Sequence, residues 1–130
     1  MLKQKILSLI TGMYMWFNQI AVPTTAFKKE ELEKYFTPDF IMDMNDKVVT
    51  SDYDSLYAHF EKFRKSEAIL EVQLPFKEVV YSDDLKKCVV RYNIKKCFKD
   101  KSEKNFEVLA IWHISNDGRL QRMNEVVYSE

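Results

Sequence analysis

The sequence predicts an α+β domain in which helices come first and a mainly antiparallel sheet follows. Three observations point there. Two stretches, Ile6–Ile20 and Tyr53–Phe63, carry apolar residues at spacings of three and four, the mark of amphipathic helices. The second half instead carries long strand-like runs separated by short polar connectors. Finally, Glu107–Tyr128, EVLAIWHISNDGRLQRMNEVVY, reads as the closing β-hairpin of a curved sheet. Val108–Ile114 is apolar apart from His113, Asp117-Gly118 is a strong hairpin turn, and the returning Leu120–Tyr128 mixes apolar with polar residues. Polar groups on an inner strand suggest a wet pocket.

Taken in order, the first helix should cover about Leu2–Ala21 and stop before Pro23, because the residue preceding proline is disfavoured in a helix. Its face is Ile6, Leu9, Ile10, Met13, Trp16, Phe17 and Ile20. Lys3 and Lys5 followed by ILSLITGMYMWF also resemble a weak signal peptide, with AVPTTAF as its cleavage region. The amphipathic repeat running on through Ile20 favours a helix of the folded domain, and its polar ends argue against a membrane span. Thr24 or Thr25 could cap a short second helix, Phe27–Tyr35, with Glu30 and Glu31 in its first turns. A weakly alternating strand, Asp39–Asn45, then turns into Val48-Val49-Thr50. Ser51 or Asp52 caps a third helix running to about Ser66, with a stripe of Tyr53, Leu56, Tyr57, Phe60 and Phe63. Strands Ile69–Tyr81, Lys86–Phe98 and Asn105–Ser115 lead into the closing strand.

At 130 residues the chain is one domain, 1–130, and 46% hydrophobic residues support a substantial core. Twenty basic and twenty acidic residues cancel, where a nucleic-acid binder would carry a basic excess. Cys88 and Cys97 fall on one strand about 30 Å apart, beyond disulfide reach, so two free thiols in a reducing, cytoplasmic setting are expected. No Ser-His-Asp order, Gly-rich phosphate loop, CxxC or HExxH occurs, and neither a cofactor nor a metal is expected.

Candidate chemistry centres on Glu125. Its same-face neighbours Met123 and Val127 are apolar, and a pocket-facing carboxylate there would be desolvated, raising its pKa toward acid–base work. The competing reading is an exposed glutamate paired with a basic side chain. Arg91 and Asn93 in VVRYNIK share one face and are pocket candidates, yet Val90, Tyr92 and Ile94 form the more apolar face, and burial alone would turn those inward. His59 on the third helix could shuttle protons or hydrogen-bond at the core edge. Asp43 is a possible acidic partner or a solvated strand residue. Trp112 and His113 cannot both face the pocket. A two-residue Asp117-Gly118 turn pairs Trp112 with Met123 and Ala110 with Glu125, whereas a three-residue loop puts His113 and Ile111 on the Glu125 face. Turn statistics favour the first. Met13, Met15, Trp16, Met42, Met44, Phe63 and Met123 could wall a deformable cavity or simply pack a core.

The element order, together with Tyr35-Phe36-Thr37-Pro38-Asp39-Phe40, the Trp112–Leu120 hairpin and Asn124-Glu125-Val126, resembles the SnoaL-like branch of the nuclear transport factor 2-like superfamily across nearly the whole chain. That resemblance implies a cone: three N-terminal helices packed in the concave face of a strongly curved, mainly antiparallel sheet, with a pocket at the open end. Polyketide cyclases, ketosteroid isomerase, dehydratases, limonene epoxide hydrolase and non-enzymatic binding domains share it, so fold does not settle function. In the epoxide hydrolases an acid lies in the last strand, which the resemblance carries to Glu125. Their Arg-x-Asp resembles Arg91 and Asn93, but asparagine replaces the acid and leaves an acid–Arg–acid relay incomplete.

Two functions follow as expectations. One is a pocket protein for a small apolar or carbonyl-bearing molecule, as an isomerase, cyclase or hydratase. The other is a non-catalytic dimeric domain with a vestigial pocket. A cavity of several hundred Å³ with a perturbed pKa would favour the enzyme, and a filled cone the other. Apolar residues on both faces of the last strands (Leu109 and Ile111 against Ala110 and Trp112) imply a homodimer through the outer face.

Overall fold

Helix α1 spans Lys3–Ile20 in the computed structural model, which describes residues 2–129. Its buried stripe is Ile6, Ile10, Met13, Tyr14, Trp16, Phe17 and Ile20, with the expected Leu9 half-buried at its margin and Tyr14 an unexpected member. Helix α2, Tyr53–Arg64, starts at Asp52, whose carboxylate accepts from Ser55 N at 2.7 Å and satisfies one of the donors left free at a helix start. Leu56 and Phe60 are its deepest residues.

The expected second helix, Phe27–Tyr35, is instead a short 3₁₀ segment at Lys29–Lys34. Six residues with Leu32 as their one buried anchor do not recover the cost of nucleating an α-helix. The expectation of three helices therefore reduces to two α-helices and this segment.

Seven strands form one sheet: β1 Phe36–Met44, β2 Lys47–Thr50, β3 Ala68–Val72, β4 Glu78–Tyr81, β5 Lys87–Phe98, β6 Glu103–Ile114 and β7 Leu120–Ser129. The order is β2-β1-β7-β6-β5-β3, with β4 also paired to β5. All pairs are antiparallel except β1 with β7. The first strand begins at Phe36, earlier than expected. Its pairing with β7 skips between Phe36 and Ile41, leaving Pro38 and Asp39 exposed. The expected strand Ile69–Tyr81 divides into β3 and β4 around Pro75, which has no N–H to give a ladder. Gln73 N and Lys77 N still bond to Asn93 O and Arg91 O at 2.8 and 2.7 Å, so both pieces stay on the edge of β5.

The core lies between the helices and the inner sheet face, where Cys88, Val90, Tyr92, Val108, Ala110, Trp112 and Met123 are buried. Trp16 sits in an aromatic cluster with Phe27, Tyr35, Phe36 and Phe60, at centroid separations of 5.2–6.2 Å. It is core packing rather than pocket wall.

Two polar clamps fix the helices on the sheet. The Asn18 side chain mimics a strand neighbour, accepting from Val72 N at 2.8 Å and donating to Val72 O at 3.0 Å, and so ties α1 to the edge of β3. The Arg64 guanidinium donates to the carbonyls of Ile20, at the end of α1, and Thr25, beyond it, pairs with Glu61 and lies over the Phe27 ring. Asn18→Ala strips both partners from Val72 without changing the helix pattern. We expect a loss of about 1–3 kcal/mol in urea unfolding, the cost of unsatisfied backbone groups.

Candidate functional site

The β6–β7 register decides which side chains enter the cone. Gly118 has a positive φ of 81°, Gly118 N bonds Ser115 O, and Ser115 N bonds Arg119 O. The loop is thus the three-residue Asn116–Gly118 form, which by itself would direct Ile111 and His113 to the face of Glu125. A bulge near Gln121 reverses that, because His113 pairs with Arg122 while Ile114 pairs with Leu120. Beyond the bulge Trp112 faces Met123 and Ala110 faces Glu125. The register is the one a two-residue turn would give, reached by another route.

Glu125 therefore points inward, beside the small Ala110 on β6 and opposite Met44 on β1. The adjoining Asn45-Asp46 turn holds this end of β7 in place: Asn45 N bonds Glu125 O at 2.8 Å, and Val127 N donates to Asn45 Oδ1 at 3.3 Å. The cavity measures about 70 Å³ and lies between α1, α2 and the sheet. Met42, Phe63, Trp112, Met123 and Glu125 line it, as do Met13 and Met44, while Met15 is exposed. Burial alone pushes the Glu125 carboxyl from its ordinary 4.5 to about 7, with no hydrogen bond or cation acting on it.

His59 lines the same cavity, edge-on to Phe63 at 4.6 Å. Burial, with a smaller push from Lys62, lowers its pKa. Tyr14 and Tyr92, not singled out as site residues from the sequence, complete the polar inventory. The Tyr14 hydroxyl donates to Tyr92 Oη at 2.7 Å, and both groups titrate well above the ordinary value. Burial is the main cause for each, and the nearby Glu125 adds to it. Both tyrosines were findable: Tyr14 keeps the helical spacing of Ile10 and Phe17, and Tyr92 is the middle of the apolar alternation Val90-Tyr92-Ile94.

Three sequence candidates lie elsewhere. Arg91 and Asn93 face out of the cone because Val90, Tyr92 and Ile94 take the inner face, as burial demands. Arg91 pairs there with Glu78 at 3.2 Å and Glu107 at 3.4 Å. Asp43 is also on the outer side, since Met42 and Met44 point inward. It pairs with Arg122 at 3.2 Å and accepts from Asn124, which is hydrogen-bonded to His113 at 2.8 Å. His113 thus belongs to the outer face. Among the described residues no group of three His, Cys, Asp or Glu side chains is placed to hold a metal.

The raised Glu125 pKa fixes the sign of a pH effect. The folded state holds the proton more tightly than the unfolded chain, so stability falls as pH rises from about 4.5 to about 7, and the penalty is complete above that. The difference corresponds to roughly 3 kcal/mol. His59 acts oppositely: its lowered pKa favours the fold above the unfolded value of 6.5 and is lost as pH falls through the lower folded value. Comparing wild type with Glu125→Gln isolates the first effect. The variant should be the more stable protein at pH 8 and lose that advantage near pH 4.5, as read by urea unfolding at both.

No family model and no curated protein matches the chain, whereas many solved structures do. A nuclear transport factor 2-like protein of unknown function from Exiguobacterium is 12% identical, with a TM-score of 0.72 over 92% of this chain and 98% of that one. SalBIII, an epoxide hydrolase/cyclase-like enzyme with a role in pyran ring formation in the polyether salinomycin, is also 12% identical, with a TM-score of 0.72 over 98% and 92%. A protein from Jannaschia provisionally described as a SnoaL-like polyketide cyclase is 10% identical, with a TM-score of 0.71 over 95% and 85%. At these identities the likeness is one of fold. The chain has the nuclear transport factor 2-like fold, in the form shared with SnoaL-like proteins.

Proposed function

We propose that the chain takes a small, largely apolar molecule into the cone and that Glu125 exchanges a proton with it, as an isomerase, cyclase or hydratase requires. One observation carries this reading: a carboxyl group sits in an apolar cavity with no partner and a pKa of about 7. The side chain is half-buried, and desolvating a carboxyl group without compensation is costly, so an apolar residue there would serve the fold better. A carboxyl that titrates near neutrality can both give and take a proton. Tyr14 spends its proton on Tyr92, which leaves the Tyr92 hydroxyl free to donate to a ligand oxygen. His59, neutral at pH 7, supplies a second proton-exchanging group in the same cavity. Four methionines in the wall provide the give that a ligand larger than the cavity needs. SalBIII and the Jannaschia protein add that this fold is associated with cyclase chemistry in other proteins.

The second reading, a non-catalytic domain with a vestigial pocket, rests on the cavity's size. About 70 Å³ is far below the several hundred Å³ of ordinary ligand sites. Deuterium exchange separates the two. Small enolisable ketones in heavy water should exchange their α-protons in the presence of the wild-type protein, followed by nuclear magnetic resonance, and Glu125→Gln should slow this by about a hundredfold or more. Wild-type exchange no faster than buffer would hand the lead to the non-catalytic reading.

The same proposal includes a homodimer through the outer sheet face. Val126 and Tyr128 are 46% and 44% exposed there, and Val80 at the edge is 55% exposed, beside the half-buried Leu109 and Ile111. A second copy would cover this apolar surface. No helix among the described residues is long and apolar enough to cross a membrane, and two free cysteines suit a cytoplasmic setting. Sedimentation at micromolar concentrations should give a dimer, and a monomer across that range would rule the interface out.

A further inference from the structure

The cavity has an unbalanced electrostatic inventory. Seven aromatic rings and four methionine side chains line it, Glu125 is its one carboxylate, and no lysine or arginine reaches it among the described residues. Carboxylates on the outer sheet face find cations there, as Asp43 does with Arg122 and Glu107 with Arg91. Among the described residues Glu125 has no cation or hydrogen-bond donor beside it in this aromatic wall. Aromatic rings present negative faces, and a desolvated cation beside them is attracted by the ring quadrupole. Polarisable thioethers suit the same guest. A wall of this kind closed by one acid is built for a positive charge on an apolar body.

We propose, resting on the small-molecule reading above, that the occupant is a small aliphatic amine or quaternary ammonium ion, its cationic nitrogen paired with Glu125 and its alkyl groups against the aromatic rings. The cavity's size fits such a guest. A water-sized position takes about 10–15 Å³ of such space, so about 70 Å³ accommodates roughly five to seven heavy atoms. A neutral amine that meets protonated Glu125 takes its proton, giving ammonium and carboxylate with no further reactant. A quaternary ion needs the carboxylate already ionised.

The titratable groups facing Glu125 do not upset this balance. Those lining the cavity with it are Tyr14 from α1, His59 from α2 and Tyr92 from β5, with Cys88 of β5 behind Tyr14, and among the described residues β1, β3 and β6 contribute none. The two tyrosines and Cys88 are held protonated by burial, and His59 is held neutral by it. Glu125 is therefore the group whose charge changes near neutrality.

The test uses the full chain and two probes of equal heavy-atom count, tetramethylammonium and tert-butanol, titrated by nuclear magnetic resonance from pH 5 to 9. Tetramethylammonium should bind at least about tenfold more tightly than tert-butanol at pH 8. Its affinity should rise about tenfold per pH unit up to about 7 and then level, because only ionised Glu125 pairs with it. Glu125→Gln, which keeps the side chain's shape, should remove both the preference and the pH slope. Tert-butanol binding as tightly as the cation, with a flat profile, would overturn the cation assignment and leave the small-molecule pocket standing. If neither probe binds, both readings fail together.

Discussion

The strand pairing between β6 and β7 is the constraint on which the site depends. Side chains alternate strictly across a sheet, so a slip of one residue would carry Glu125 from the cavity to the outer face and bring His113 inward. The loop Asn116–Gly118 has the wrong length for the observed arrangement, and the bulge at Gln121 adds the residue that corrects it. Downstream the register is held twice more, by the parallel pairing of β1 along Ile41–Met44 and by Asn45, which bonds the backbone on either side of Val126. Three devices within a few residues keep one carboxylate inside.

That carboxylate stands against the fold's own interest. The two α-helices bury an aromatic and aliphatic core, and the clamps at Asn18 and Arg64 satisfy polar groups where the helices meet the sheet. Glu125 gains no such compensation. A site that breaks the local rules without a structural return is where function is expected, because natural sequences are otherwise consistent across levels. Other buried polar atoms also lack a partner: the indole nitrogen of Trp16 belongs to a side chain whose apolar area offsets the loss, whereas Asp43 and Arg91 each keep an ion pair through another atom of the same group.

How much of this was legible follows from which signals are local. Helix α1 and helix α2 were readable because their stripes repeat at helical spacing, and Glu125 because its same-face neighbours are apolar. Arg91 and Asn93 are pocket candidates by likeness to an Arg-x-Asp pair and outer-face residues by the apolar alternation Val90-Tyr92-Ile94, and burial is the stronger force. For Asp43 two readings stood open, and Met42 and Met44 on either side, by taking the inner face, put it on the outer one. The 3₁₀ segment and the break at Pro75 lie where propensity and packing disagree, and sequence spacing carries no information on which prevails. The Tyr14–Tyr92 hydrogen bond joins residues 78 positions apart, so no local pattern could announce it.

The opposed shifts of Glu125 and His59 have one cause. Burial raises the acid and lowers the base, driving each toward its uncharged form, so the cavity resists charge of either sign. An anion entering it would meet no cation and would push Glu125 further from ionisation. A neutral guest would leave the acid protonated at slightly acidic pH. Only a guest carrying its own positive charge recovers the Coulomb energy that desolvation withholds, and at short range in a poorly polarisable cavity that recovery is at its largest. The same environment that makes the empty carboxylate unfavourable would make a matched ion pair selective, so the cost to the fold and the discrimination at the site have one origin.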